Sequence, residues 1–208
     1  MRLVSITGRL LVCSICAMIA LSPLTANASV IYSGAKNITI NEATPEVMID
    51  IDSSGTADFL FEHVRKSSSS ELTVDGELDT ISYFACAQYG PYYGPPLQKT
   101  EGEQIVANEV WLSSQYDGLL AGAYGTWWGG RFGEEGGYIG IKFSGQEGWH
   151  LGWIYFEGNH EASEGIITGW AYESIQGQPI LAGEVPEPAT LSLLLIGGLG
   201  LLRKRRAM

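Results

Sequence analysis

The sequence predicts an all-β protein built as an antiparallel β-sandwich of the jelly-roll or a related type. Segments in which apolar residues alternate with polar ones recur at intervals of roughly ten residues between positions 36 and 183. Residues that favour turns separate these segments, and Gly supplies 27 of the 208 residues. No amphipathic helical pattern in this part of the chain exceeds two turns, which is typical of short strands joined by turns.

The candidate strands, in order, are residues 36–40, 46–52, 57–64, 71–74, 80–86, 104–111, 137–143, 149–156, 166–173 and 179–183. In the segment 149–156, one predicted face carries Trp149, Leu151, Trp153 and Tyr155, and the other carries Ile154 and Phe156. Apolar residues on both faces indicate a central strand. The longest irregular stretch, residues 88–103, holds prolines and glycines that exclude a helix and a central strand.

The sandwich is predicted to lie between two terminal segments that are each expected to contain a short helix. The predicted parts are a signal peptide at residues 1–28, the β-sandwich domain at 29–184 and a C-terminal tail at 185–208. A domain of this size is long enough to bury a substantial core.

The first part has the features of a secretory signal peptide. Arg2 and Arg9 give it a positive start, and residues 10–21 form an apolar run. The small residues Ala26 and Ala28 place the predicted signal peptidase cleavage after Ala28. A permanent N-terminal membrane anchor is the alternative, although such a span needs about 20 apolar residues.

The central domain is strongly acidic. Residues 29–184 contain six of the 12 basic residues and 22 of the 23 acidic ones, a formal charge of about −16. Such a charge excludes nucleic acid and anionic lipid as partners and suits a soluble surface or weak binding of divalent cations. Cys13 and Cys16 leave with the signal peptide, so Cys86 has no intrachain partner and is predicted to be a small buried hydrophobic residue.

The tail has three consecutive parts. They are the segment Val185, Pro186, Glu187 and Pro188, an apolar run at 189–202, and a basic cluster of Arg203, Lys204, Arg205 and Arg206. The prolines favour an extended, accessible backbone, and the basic cluster holds the end on the cytoplasmic side. A helix of 14 residues rises about 21 Å, less than the roughly 30 Å of a bilayer core, so transient insertion in the inner membrane is predicted.

These parts, together with Gly197 and Gly198, resemble the PEP-CTERM sorting signal of exported proteins of Gram-negative bacteria. The resemblance covers residues 185–208 and implies recognition by an exosortase, a membrane-embedded enzyme that cuts near Pro-Glu-Pro. It also implies an association with exopolysaccharide and biofilm, and a final location at the cell surface or outside the cell. An ordinary C-terminal membrane anchor is the alternative. The signal implies no chemistry for the central domain.

A second resemblance concerns the end of the domain, where residues 137–143, 152–156, 170–174 and 179–183 read GYIGIKF, GWIYF, WAYES and PILAG. This order is similar to a segment of uncharacterised exported β-rich bacterial proteins. The similarity implies a β-fold and no assigned activity.

Residues 50–58 resemble the start of a calcium-binding loop. Carboxylate and hydroxyl oxygens at alternate positions around a tight Gly turn can surround one cation. The predicted ligands are Asp50, Asp52, Ser54 and Asp58. Position 12 of the pattern is Phe61 instead of a bidentate Glu, and predicted strands flank the loop instead of helices. A β-hairpin turn rich in Asp, Ser and Gly, with no ion, is the alternative.

Aromatic residues in the Gly- and Pro-rich loops of the second half are candidate sugar contacts. These are Tyr92, Tyr93, Trp127 and Trp128. Exposed rings can stack on the apolar face of a sugar, whereas rings of a sandwich core serve packing alone.

No catalytic motif accompanies His63, His150 and His160. Carboxylate pairs such as Glu134 with Glu135, or Glu161 with Glu164, are the remaining glycosidase candidates. The sequence therefore predicts an exported, exosortase-processed surface or matrix protein without a catalytic role, whose partners are signal peptidase, an exosortase, the inner membrane and exopolysaccharide. A carbohydrate-binding β-sandwich module, with or without structural Ca²⁺, is the first alternative, and a glycan-processing enzyme is the second.

Overall fold

The structure is a computed structural model that describes residues 30–66, 69–76, 82–89, 92–113, 118–124, 127–132, 135–145, 148–159 and 164–186. These residues form strands and turns and contain no helix, which confirms the all-β prediction. The strands are β1 (Val30–Tyr32), β2 (Ile38–Ile40), β3 (Glu46–Ile49), β4 (Phe59–Lys66), β5 (Ser69–Gly76), β6 (Ser82–Tyr89), β7 (Tyr92–Pro96), β8 (Gln98–Lys99), β9 (Gln104–Ile105), β10 (Trp111–Ser113), β11 (Gly118–Tyr124), β12 (Trp127–Gly130), β13 (Gly137–Gly145), β14 (Gly148–Asn159), β15 (Glu164–Glu173) and β16 (Ile180–Leu181).

The strands pair in antiparallel fashion in three sheets. The largest has nine strands, in which β1-β15-β14-β13-β6-β10 form the path and β2, β7 and β8 add to its edges. The second has five strands in the order β12-β11-β5-β4-β3. A small ribbon of β16 and β9 completes the set, with Ile180 opposite Ile105.

The main core lies between the nine-stranded and five-stranded sheets. Phe59, Phe61 and Val74 reach it from the five-stranded sheet and are fully buried. From the nine-stranded sheet, Phe156 stacks on Phe61 with ring centroids 6.0 Å apart. Phe132, which follows β12, meets the Phe156 ring edge-on at 5.9 Å. Facing apolar surfaces of two antiparallel sheets are the arrangement of a β-sandwich.

The predicted central strand is confirmed as β14. It pairs with β13 on one side and β15 on the other, and both of its faces are buried. Ile154 and Phe156 point into the main core, while Leu151 and Trp153 join a second apolar cluster on the outer face of the sheet.

The β9–β16 ribbon covers that second cluster. Ile105, Ile180 and Ala182 are almost fully buried there, together with Val30 of the first strand. Beneath the ribbon, Lys99 is only 5% exposed. Its ammonium lies 3.1 Å from Glu103 and 3.2 Å from Glu109, so the buried charge is paired on two sides.

The structure differs from the sequence prediction where Pro and Gly are dense. Residues 92–96 form a strand, although it pairs with β6 alone, which agrees with the exclusion of a central strand. Strands β1, β8, β11 and β12 were not predicted, and the expected strand at 104–111 is divided into β9 and β10. The expected signal and tail helices lie outside the described residues. Within the described residues, no helix has the length and apolarity needed to span a membrane.

Candidate functional site

The loop between β3 and β4 folds around the carboxylate of Asp50. Its Oδ1 accepts the backbone N–H of Ser54 at 3.0 Å, and its Oδ2 accepts that of Gly55 at 2.8 Å. The turn needs positive φ angles, 60° at Ser53 and 90° at Gly55. Short polar residues and Gly tolerate this conformation, which explains why the sequence SSG makes the turn.

Two further carboxylates meet Asp50 at this turn. Asp52 Oδ1 accepts a second bond from the Ser54 N–H, at 3.0 Å. Asp58 is 2% exposed, and its Oδ2 accepts the N–H of Ile51 at 2.8 Å. One carboxylate oxygen from each of the three residues lies within 4.8 Å of the others. The structure thus brings together three of the four predicted calcium ligands.

Burial beside two other carboxylates disfavours the charged form of Asp58. Burial, above all, raises the pKa of Asp58 to about 6; the charges of Asp52 and Asp50 add to the rise, and the bond from Ile51 opposes it. A hard divalent cation such as Ca²⁺ binds carboxylate oxygens grouped in this way. The fourth predicted ligand, Ser54, contributes its N–H to the turn, and its Oγ lies 3.4 Å from the N–H of Thr56.

The loop is not an EF-hand. Phe61, at the position where that motif has its last ligand, is fully buried in the main core. Strands β3 and β4 flank the loop, as the sequence analysis expected.

A groove of about 290 Å³ opens beside the loop, between it and strands β13–β15. Asp52, His150 and Tyr172 are among its lining residues. His150 Nδ1 lies 2.9 Å from the carbonyl oxygen of Glu173. Burial first, and then the charges of Asp52, Asp50 and Asp58, raise the pKa of the Tyr172 hydroxyl, so it is a neutral donor at physiological pH.

Sequence reasoning did not associate His150 and Tyr172 with the loop. About a hundred residues separate them from it in the chain. The β14–β15 pairing places their strands side by side, and the groove lies between these strands and the loop. The sequence placed both residues within predicted strands, and this alone does not indicate that they lie beside the loop.

The predicted sugar contacts lie on strands instead of loops. Tyr92 and Tyr93 are in β7, and Trp127 and Trp128 are in β12. The two strands belong to different sheets. The structure describes the backbone of these four residues and not their side chains, so their contacts with a sugar stay a prediction.

A second groove, of about 300 Å³, lies on the outer face of the nine-stranded sheet. Its lining includes Gln98, Glu101 and Glu135 beside the cross-strand pair Tyr138 and Tyr155, whose ring centroids are 4.7 Å apart.

The other candidate catalytic groups have structural partners or are deeply buried. His63 Nε2 lies 2.9 Å from the hydroxyl of Ser70 on the neighbouring strand. Glu164 accepts a bond from Asn41 at 3.1 Å. Cys86 is a free thiol, 1% exposed, as predicted, and burial raises its pKa. His160, Glu134 and Glu161 lie outside the described residues.

The end of the domain is fixed to the outer face of the nine-stranded sheet. The Ala182 N–H donates to the carbonyl of Glu103 at 2.9 Å, and the Trp153 indole N–H donates to the carbonyl of Glu184 at 3.2 Å. Glu184 Oε2 in turn accepts the N–H of Leu181 at 3.0 Å. Beyond this point, residues 185 and 186 are exposed.

The sequence profile of the PEP-CTERM protein-sorting motif matches residues 184–206. The chain carries a PEP-CTERM protein-sorting motif. The family resemblance noted above is therefore confirmed, with bounds within two residues of those expected. The PEP-CTERM motif marks the chain as an exported protein that an exosortase sorts at the membrane. No curated protein and no solved structure matches the chain.

The PEP-CTERM motif begins where the anchored backbone ends. Its first residue, Glu184, is hydrogen-bonded to Trp153. Val185 and Pro186, the last residues that the structure describes, are exposed. Its remaining residues Glu187, Pro188, Arg203, Lys204, Arg205 and Arg206 lie outside the described part of the chain, as do Ala26 and Ala28 of the predicted signal cleavage site.

Proposed function

We propose that this chain is a cell-surface or extracellular-matrix protein without a catalytic role, which an exosortase processes and which associates with exopolysaccharide in a biofilm. The position of the PEP-CTERM motif, which begins at the anchored residue Glu184 and continues beyond the described strands, supports this proposal most strongly. A cut near Pro186 would leave every strand of the domain in the product.

The physical properties of the tail support a temporary stay in the membrane. Its apolar run of 14 residues at 189–202 reaches about 21 Å as a helix, against about 30 Å of hydrocarbon. The basic end cannot cross the bilayer, so the Pro-Glu-Pro segment is held on the opposite side. An enzyme at that surface of the membrane can then reach it.

Mass spectrometry of the protein recovered from cells tests this route. We expect a chain that begins at Ser29 and has lost residues 203–206, because both terminal segments are removed. In cells that lack the exosortase, the basic end should remain and the protein should stay in the membrane fraction. An intact basic end in stable membrane fractions of normal cells, or a chain that starts at Met1 in the cytosol, would contradict the proposal.

The second candidate function is a carbohydrate-binding sandwich stabilised by calcium. The observation that favours it is the group of three carboxylates within 4.8 Å on the β3–β4 loop. Asp50, Asp52 and Asp58 would hold the ion, and the carbonyl oxygens of the turn and water would complete its six to eight ligands. The bound ion would offset the burial and, to a smaller extent, the neighbouring charges of Asp52 and Asp50 that raise the pKa of Asp58.

Thermal unfolding of the full chain with and without Ca²⁺ tests the ion site. When free Ca²⁺ exceeds its Kd by about a hundredfold, binding adds about 2.7 kcal/mol, which is a rise in Tm of roughly 5–10 °C for a domain of this size. Asp50→Asn should remove the rise. Glu46→Gln, which removes one charge at an exposed position on β3, should keep it. No rise at millimolar Ca²⁺ would eliminate the site.

A further inference from the structure

The groove beside the β3–β4 loop collects polar atoms that the protein leaves without partners. Asp52 uses Oδ1 for the turn, while Oδ2 has no hydrogen-bond partner in the described part of the chain. A Cβ placed on Gly145 would lie 3.7 Å from this Oδ2 and 3.1 Å from His150 Nε2. The two atoms therefore face the same small space, which Gly145 leaves open.

His150 presents a hydrogen-bond acceptor to this space. Its ring is 8% exposed and packs against Phe143, with centroids 5.7 Å apart. Because a backbone carbonyl can only accept, the 2.9 Å contact with Glu173 O requires the proton on Nδ1. In the neutral ring, Nε2 then carries the lone pair on the groove side.

Tyr172 adds a hydroxyl to the same wall. Its ring is 9% exposed and is held in the main core, edge-on to Phe143 at 5.2 Å. Across the residues that the structure describes, the hydroxyl has no hydrogen-bond partner. Tyr172 lines the groove together with Asp52, and its hydroxyl is close enough to the three aspartates for their charges to act on it. The Tyr172 hydroxyl is thus an unpaired polar group on a side chain that is nine-tenths buried. It points to a ligand independently of the three carboxylates.

We propose that this groove binds one saccharide unit through the cation of the β3–β4 loop. The inference rests on the proposed calcium site. Ca²⁺ takes six to eight oxygen ligands, so three carboxylates leave several of its coordination positions unfilled. Asp52 lines the groove, so these positions can be reached from there. Two neighbouring sugar hydroxyls would each fill a coordination position of the ion. One of these hydroxyls would also donate a hydrogen bond to His150 Nε2. The Tyr172 hydroxyl would form a hydrogen bond with another substituent of the sugar ring.

The composition of the groove favours a neutral sugar over an anion. Its free side-chain atoms are chiefly acceptors, and an anionic ligand would meet three carboxylates at short range. Ile31, which is 44% exposed, provides an apolar wall for the C–H face of the ring. The volume of about 290 Å³ lies at the lower end of ligand sites, which suits a single ring.

Calorimetric titration of the full chain in a zwitterionic detergent tests the proposal, with methyl α-D-mannopyranoside as the probe. We expect binding in millimolar Ca²⁺ and its loss in EGTA. Tyr172→Phe should weaken sugar binding at least fivefold while Ca²⁺ affinity stays within twofold, since only a groove hydroxyl is removed. Tyr138→Phe, the same change at the other groove, is the matched control and should leave both affinities unchanged.

Each result separates the two claims. Ca²⁺ binding without sugar binding would overturn the saccharide groove and leave the ion site standing. Sugar binding that persists in EGTA would overturn the role of the ion, and a loss in Tyr138→Phe with none in Tyr172→Phe would move the sugar to the outer groove and overturn the proposal. Absence of Ca²⁺ binding would overturn the ion site and this inference together.

Discussion

At the scale of single residues, the carboxyl group of Asp58 connects the turn to the stability of the domain. It is almost fully buried, it holds the N–H of Ile51, and it faces two other carboxylates. Its pKa is raised from 3.8 to about 6. Because the folded state holds this proton more tightly than the unfolded chain, Asp58 stabilises the fold at low pH, and that stabilisation is lost as the pH rises through 6.

Asp58→Asn should therefore make the domain less sensitive to pH in a chelating buffer. The amide keeps an oxygen for Ile51 and cannot ionise. At pH 4 the two proteins should be of similar stability, while at pH 8 the variant should be more stable by up to about 3 kcal/mol. Urea unfolding at both pH values measures the difference. An equal difference at both pH values would contradict the buried, proton-holding state of Asp58.

At the scale of elements, the β9–β16 ribbon is a small unit that seals the outer face of the nine-stranded sheet. Ile105 and Ile180 fill the space above Leu151 and Trp153, and the exposed Leu181 belongs to the same ribbon. Buried and exposed apolar side chains therefore occur side by side in the same element.

Ile105→Ala should cost about 2–4 kcal/mol, because the side chain is fully buried and its removal leaves a cavity. Leu181→Ala, with 43% of that leucine exposed, should cost less than about 1 kcal/mol. Urea unfolding gives both values. Equal costs would show that the ribbon does not pack as a core element.

Sequence patterns predicted the long strands well, because their apolar residues either alternate with polar ones or occupy both faces of the strand. Strands β13, β14 and β15 fall within a few residues of the expected segments. Strands β7, β11 and β12 were missed, since Gly, Ala and Pro give little hydrophobic alternation and their pairing depends on distant neighbours. The Asp turn was predictable because its bonds span at most seven residues, whereas the groove residues come from strands far along the chain.

At the scale of the whole molecule, the last strand that the structure describes ends shortly before the sorting motif begins. Residues up to Glu184 are held by backbone bonds and by the indole of Trp153, and the exposed residues follow. Every strand that the structure describes therefore lies before the expected cut.

A fragment of residues 29–184 should unfold within about 2 °C of the same chain with its tail in detergent, because it keeps every described contact. A fragment of residues 29–179 loses β16 and the bonds of Ala182 and Glu184, and its Tm should fall by at least about 5 °C. Circular dichroism during heating compares the two. Equal melting temperatures would move the boundary to a point before β16.

The two ends of the domain meet in one place. Val30 and Ala182 are members of the same small apolar cluster, and the first strand is held by three residues paired with the end of β15. Tension applied between the two termini would act on that short pairing and on the β9–β16 ribbon, leaving the interior between the large sheets without load. A pull on the two ends would therefore separate β1 and the β9–β16 ribbon from the nine-stranded sheet before it separated the two large sheets.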